Sequence, residues 1–168
     1  KGYFRSSTVM VSGTAGTGKT SLASQFAESA CKRGESALFF TFEESPSQLM
    51  RNMRSIGINL EPWIKKGLLQ FHASRPTLYG LETHLTTIIK LVNNFKPKVV
   101  VLDPVNAFVV GDNQTEVKSM LLRIVDFLKM KRITSFFTSL TEANDKPEIT
   151  DVYISSLIDT WLLLRDIE

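Results

Sequence analysis

Two hydrophobic periods alternate along this chain. Short, nearly uninterrupted apolar runs at 8–12, 36–42, 68–72, 99–102, 134–139 and 161–164 fit buried strands. Between them apolar residues recur at helical spacing. Leu22, Ala23, Phe26, Ala27 and Ala30 make one face of a helix over 19–33, closed by Gly34. Leu81, Leu85, Ile88, Ile89, Val92 and Phe95 make a second face, and Val117, Met120, Leu121, Ile124 and Leu128 a third. Ser45 and Pro46 supply a cap and a first-turn proline for a further helix ending near Ser55. Pro97 breaks the chain before the run at 99–102. Such alternation predicts right-handed crossovers and an α/β fold, a mostly parallel sheet with helices on both faces. Ligands of such sheets bind beyond the carboxyl ends of the strands, so the polar residues found there carry the chemistry.

Composition narrows this picture without redirecting it. A length of 168 residues predicts one domain with a real core, and 43% hydrophobic with 22% charged residues describes a globular chain. No apolar run approaches the roughly 20 residues of a membrane helix, so no membrane partner is expected. The single cysteine, Cys31, cannot form an internal disulfide and reads as a packed thiol. With no basic-then-apolar leader, a cytoplasmic setting is expected. A net charge of +3 and pI near 9.0 raise the question of nucleic acid. The bases are scattered, however, the densest groups being Lys65-Lys66, Lys96 with Lys98, and Lys129 with Lys131 and Arg132. That distribution suits a solvated surface better than a phosphate-tracking stripe. The chain begins at Lys1, close to its first strand, and reads as a piece of a longer polypeptide.

Residues 13–20, Gly-Thr-Ala-Gly-Thr-Gly-Lys-Thr, follow a strand run and open a helix. This is G-x-x-x-x-G-K-[ST] in the setting a phosphate-binding loop requires. Glycines at 13, 16 and 18 free the backbone so that successive N–H groups face one anion, and the helix start adds its positive end. Thr14, Ala15, Gly16, Thr17, Gly18, Lys19, Thr20 and Ser21 are the nucleotide-binding candidates, with ATP as ligand. Lys19 reaches the β- and γ-phosphates, and the Thr20 hydroxyl suits Mg²⁺. Asp103, after 99–102, matches the acid that supports Mg²⁺ in P-loop enzymes. Glu43 and Glu44 follow the second strand run and read either as a base beside the γ-phosphate or as solvated acids before the Ser45 cap. Adjacent positions of an extended chain face opposite ways, so at most one would act as base. Thr138 and Ser139 are candidate γ-phosphate sensors. In ring-forming ATPases of this topology, the segment 140–151 tends to face the central channel. Here it carries Glu142, Asp145, Glu148 and Asp151 against Lys146, which would repel a nucleic-acid backbone. Ser155 and Ser156, between Asp151 and Asp159, are either phospho-acceptors or a capping cluster; composition favours the cap.

Together these residues resemble the RecA-type ATPase domains of the KaiC family of circadian clock proteins, across essentially the whole chain. The informative stretches are 12–20, Thr41-Phe42-Glu43-Glu44-Ser45, Asn94-Phe95-Lys96-Pro97, and Ile149-Thr150-Asp151 with Ile154-Ser155-Ser156 and Asp159-Thr160. The last stretch is most similar to the C-terminal, self-phosphorylating domain of the tandem pair. The resemblance implies catalytic Glu43 and Glu44, a Mg-supporting Asp103, and Ser155 and Ser156 as acceptors with Thr150 nearby. It also implies a homo-hexamer with ATP at subunit boundaries, and regulatory clock or signalling partners. Three departures stand out. The acceptor pair is Ser-Ser where the family has Ser-Thr, and Pro104 replaces a hydroxyl residue. Family members continue past 160–165 into strands carrying Lys-x-Arg-Gly, so this sequence, ending at Glu168, is expected to give a fold truncated at its C-terminal strands. The rival readings are a KaiC-like signalling ATPase without autophosphorylation, a DNA-dependent recombinase or helicase motor, and a small-molecule kinase. The last is disfavoured because no Arg-rich lid follows the helices.

Overall fold

The structure is a computed structural model that describes residues 2–141 and 157–165. The strands are β1 (Thr8–Gly13), β2 (Ala37–Thr41), β3 (Leu69–Ala73), β4 (Val99–Asp103), β5 (Thr134–Leu140) and β6 (Thr160–Leu164). The helices are α1 (Lys19–Lys32), α2 (Pro46–Ser55), α3 (Glu61–Lys65), α4 (Leu81–Phe95) and α5 (Gln114–Met130). All described strand pairs are parallel, in the order β3-β2-β4-β5-β1-β6. The expected mostly parallel sheet is therefore wholly parallel within these residues.

Alternation along each strand sends neighbours to opposite faces and builds two cores. Met10, Leu38, Phe40, Leu102 and Phe137 pack under Leu85, Ile88 and Val92 of α4 and Leu121 and Ile124 of α5. Val9, Val11, Phe39, Val101 and Phe136 pack against Ala23, Ala27 and Ala30 of α1 and Leu49 and Met53 of α2. The alanines let α1 lie close to the sheet. Cys31 sits in this second core, fully buried, and burial pushes its thiol up to about 11, as expected of a packed cysteine.

Local signals set the helix ends. Ser45 and Gln48 form a reciprocal capping box ahead of Pro46. Helices α1, α2 and α3 stop on left-handed glycines, Gly34, Gly57 and Gly67. In α1 the stop carries the paired hydrogen bonds Gly34 N–H to Cys31 O (2.9 Å) and Glu35 N–H to Ala30 O (3.0 Å). Helix α5 stops with the same geometry on Arg132. The sequence pattern missed α3, whose five residues are too few to show a helical period.

The strand order has one consequence for function. Strands β4 and β5 lie between β1 and β2, so the loop after β1, the end of β5, the end of β4 and the turn after β2 line up along one edge. At the outer edge, β6 is tied to β1 by the Trp161 indole N–H, which donates to the Ser12 hydroxyl at 2.6 Å. Trp161→Phe keeps the ring and removes this donor; the expected cost is about 1–2 kcal/mol of unfolding free energy, read from the urea midpoint.

Candidate nucleotide site

The loop 14–18 connects β1 to α1 over the carboxyl edge. Gly16 (φ 84°) and Gly18 (φ 91°) hold backbone conformations that side-chain-bearing residues rarely adopt. Gly13 is needed for a different reason than the one expected. It lies within β1, and a Cβ there would stand 2.7 Å from Leu164 O and 2.8 Å from Thr17 Oγ1. Crowding, not dihedral freedom, demands glycine at 13. The Thr17 hydroxyl donates to Thr14 O at 2.8 Å and braces the loop from inside. No side chain caps the start of α1, so its first amides keep their donors for an anion.

Lys19 is buried at the loop's base. Its Nζ donates to Gly13 O (2.8 Å) and Thr14 O (2.6 Å), which aims the ammonium across the loop. Burial lowers its pKa, while the charges of Asp103 and Glu43 pull it back up. Glu43 is therefore electrostatically part of this cluster, although it belongs to the turn after β2.

Asp103 is the last residue of β4 and is 6% exposed. The Thr138 hydroxyl of β5 donates to its Oδ1, and the Thr20 hydroxyl of α1 bonds it as well. Burial nevertheless raises its pKa, opposed by those two hydroxyls and reinforced by Glu43 and then Glu44. A carboxylate held above its ordinary range with hydroxyl neighbours is a hard-oxygen site short of positive charge, which fits Mg²⁺. Among the described residues no three His, Cys, Asp or Glu cluster as an all-protein metal cage.

The two glutamates part company. Glu44 accepts a 2.7 Å bond from Thr41 Oγ1 at its carbonyl, and its carboxylate faces Asn52 Nδ2 at 3.4 Å. It walls a 530 Å³ cleft with His72, Ser74 and Tyr79. Glu43 is the one whose charge acts on Lys19. Thr138 is placed with its hydroxyl on Asp103, and Ser139 is buried beside Ser12 in the register of β1. Asn106, which the sequence reading passed over, accepts from Leu140 N–H at 2.7 Å and fixes the end of β5. Only its nearness to Asp103 hinted at this. Thr150, Ser155 and Ser156 lie outside the described residues.

The raised Asp103 pKa has a defined sign. Below the unfolded carboxylate value of about 4 the group is neutral in both states and costs nothing. As pH rises the unfolded chain ionises first, so metal-free stability falls until the folded pKa is passed. Asp103→Asn is therefore expected to raise the urea midpoint of the metal-free protein at pH 7, with a gain that shrinks toward pH 4. The same variant should lose the stabilisation that Mg-ATP gives the parent.

Comparison with known proteins agrees with this geometry. The family model described as "ATPase: KaiC" matches residues 1–165. The Circadian clock protein KaiC2 of Synechocystis sp. is 47% identical over 98% of this chain and 29% of its own length. The Circadian clock oscillator protein KaiC of Picosynechococcus sp. is 38% identical over 99% of this chain and 33% of its own. That of Thermostichus vulcanus is 39% identical over 99% and 32%. The chain thus spans about a third of the length of these relatives. With its parallel sheet, phosphate loop and strand-end acid, this chain belongs to the KaiC family, as an ATPase domain of RecA-like fold.

Proposed function

We propose that this domain uses Mg-ATP to phosphorylate Ser155 and Ser156 of an adjacent copy, and hydrolyses ATP slowly, as part of a hexameric clock-type signalling protein in the cytoplasm. The observation that carries this reading is the convergence of Lys19, Thr20, Asp103, Thr138 and Glu43 on one strand edge. The acceptor assignment is supported by the sequence of 149–160 and its likeness to the family's pattern. The chain's partial span of its relatives supports a longer parent.

In this reading the amides of 14–21 and the Lys19 ammonium hold the triphosphate. The hydroxyl of Thr20 and the carboxylate of Asp103 would hold Mg²⁺, which neutralises charge on the β- and γ-phosphates. Thr138 keeps Asp103 oriented. Glu43 takes the proton from the attacking hydroxyl, of serine or of water, as its oxygen bonds the γ-phosphorus. The bond from that phosphorus to the bridging oxygen breaks, and its electron pair leaves with ADP. Glu44 is turned toward Asn52 and the neighbouring cleft, where it supports the turn.

Phosphorylation adds about −1.5 to −2 charge per serine. Beside Asp151 and Asp159 at a subunit seam, that charge would alter ring packing and serve as a signal. Label from γ-phosphate-tagged ATP is expected on the full-length protein and should vanish in Ser155→Ala/Ser156→Ala. Retained label would reject the acceptors. ATP turnover with no rise in intact mass would leave a signalling ATPase alone, and stimulation by single-stranded DNA would point to a motor instead. Glu43→Gln should slow turnover roughly 10²–10⁴-fold at saturating ATP, and Glu44→Gln far less. Equal losses would overturn the choice of base.

A further inference from the structure

At the opposite end of the sheet, where the strands begin, lies a cavity of 510 Å³. Four cations line it: Arg5, Arg33, Lys98 and Arg132. They face one carboxylate, Glu35. Glu35 is shared by Arg5 (2.6 Å) and Arg33 (2.9 Å), and no ion pair engages Lys98 or Arg132 among the described residues. Phe26 and Tyr3 supply an aromatic floor, their rings 5.9 Å apart.

These cations are mounted on fixed backbone. Arg33 caps α1, and the paired bonds of that stop follow it directly. Lys98 donates its N–H to Ser36 O at 2.8 Å and accepts from Thr134 N–H at 3.1 Å. Arg5 lies in a turn closed by Ser7 Oγ to Phe4 O at 2.6 Å, next to Ser6, whose N–H is held by Thr134 Oγ1 at 3.0 Å. Arg132 N–H donates to Lys129 O, and Ile133 N–H to Leu128 O, each at 2.9 Å.

Arg132 is the decisive residue. The same helix stop occurs in this molecule with Gly34, Gly57 and Gly67, and there the left-handed backbone costs little. At φ 55° an arginine bears that cost. Ser6, at φ 62°, lines the same cavity. Two of the three left-handed non-glycine residues thus border a cavity in which positive charge exceeds negative, and the third, Lys96, closes α4 outside it. Strain gathered at a concave site is the mark of a binding role.

We propose that this cavity binds a small multivalent oxyanion, with Lys98 and Arg132 as its principal contacts. Its volume suits a small molecule, and its cations line one concavity instead of following a stripe as nucleic acid requires. The inference is independent of the catalytic reading, because no residue is common to the two sites.

Calorimetry with pyrophosphate, and separately with citrate, on the Lys19→Ala protein tests it. That background silences the phosphate loop. Pyrophosphate binding that weakens at least tenfold in Lys98→Ala/Arg132→Gly is expected, together with a clear loss as salt rises. Arg132→Gly should melt no lower than its parent, since glycine relieves the backbone; Lys98→Ala alone should weaken binding too. Citrate binding as tightly as pyrophosphate would assign a carboxylate ligand, and pyrophosphate preference a phosphoryl one. Arg51→Ala/Lys90→Ala removes the same charge from exposed positions elsewhere. Equal weakening in that control, unchanged binding in the cavity variants, or no binding of either anion overturns the proposal.

Discussion

The Asp103 carboxylate is the joint on which this domain turns. It closes β4, takes a hydroxyl from β5 through Thr138 and one from α1 through Thr20, and feels Glu43 from the turn after β2. Three segments far apart in sequence, β4, β5 and α1, are tied together by one buried acid. Its position is costly, because burial works against its charge and two glutamates add to the expense. A fold built for stability alone would place a neutral residue there. The geometry makes sense once a cation and a triphosphate complete it, so stability and function pull apart at this residue.

The arrangement also explains why the strand order matters more than any single motif. A phosphate loop after β1 can hold an anion unaided, but it cannot activate a nucleophile. That needs a carboxylate held off to one side, and two strands separate β2 from β1. The intervening β4 and β5 carry the acid and the hydroxyl that fill the space. The crossover from β1 to β2 through α1 therefore sets the phosphate loop and the two glutamates at separate places along the carboxyl edge.

Much of this was legible in the sequence because the signals were local. Apolar runs marked every strand that the structure describes, and helical spacing marked α1, α4 and α5. The start of α2 was written in Ser45 and Pro46, whereas the reciprocal bond of Gln48 emerges only in the structure. The phosphate loop and Asp103 were readable because spacing within a strand–loop–helix unit is preserved in three dimensions. Less legible were facts created by long-range packing. Gly13 looked like a dihedral requirement, yet it is a contact with Leu164, 151 positions later. The choice between Glu43 and Glu44 depends on the path of one turn, which no periodicity encodes. Nor could spacing show that Arg132 occupies a left-handed helix stop that glycine fills in α1, α2 and α3.

The two ends of the molecule differ electrostatically for a reason that follows from topology. When every strand is parallel and each helix returns antiparallel to them, helix N-termini gather at the strands' carboxyl ends and C-termini at the other pole. Partial positive charge collects where the triphosphate is proposed to bind, and partial negative charge where the strands begin. Cations at the second pole are thus partly answers to helix dipoles, and Lys32 and Arg33 at the end of α1 fit that account. Lys98 does not, because Lys96 already caps α4 two residues before it. Arg132 does not either: Lys129 and Lys131 already serve the end of α5, and a glycine would close the turn at less cost. What dipole compensation leaves over at this pole is one lysine and one strained arginine, both facing the same cavity.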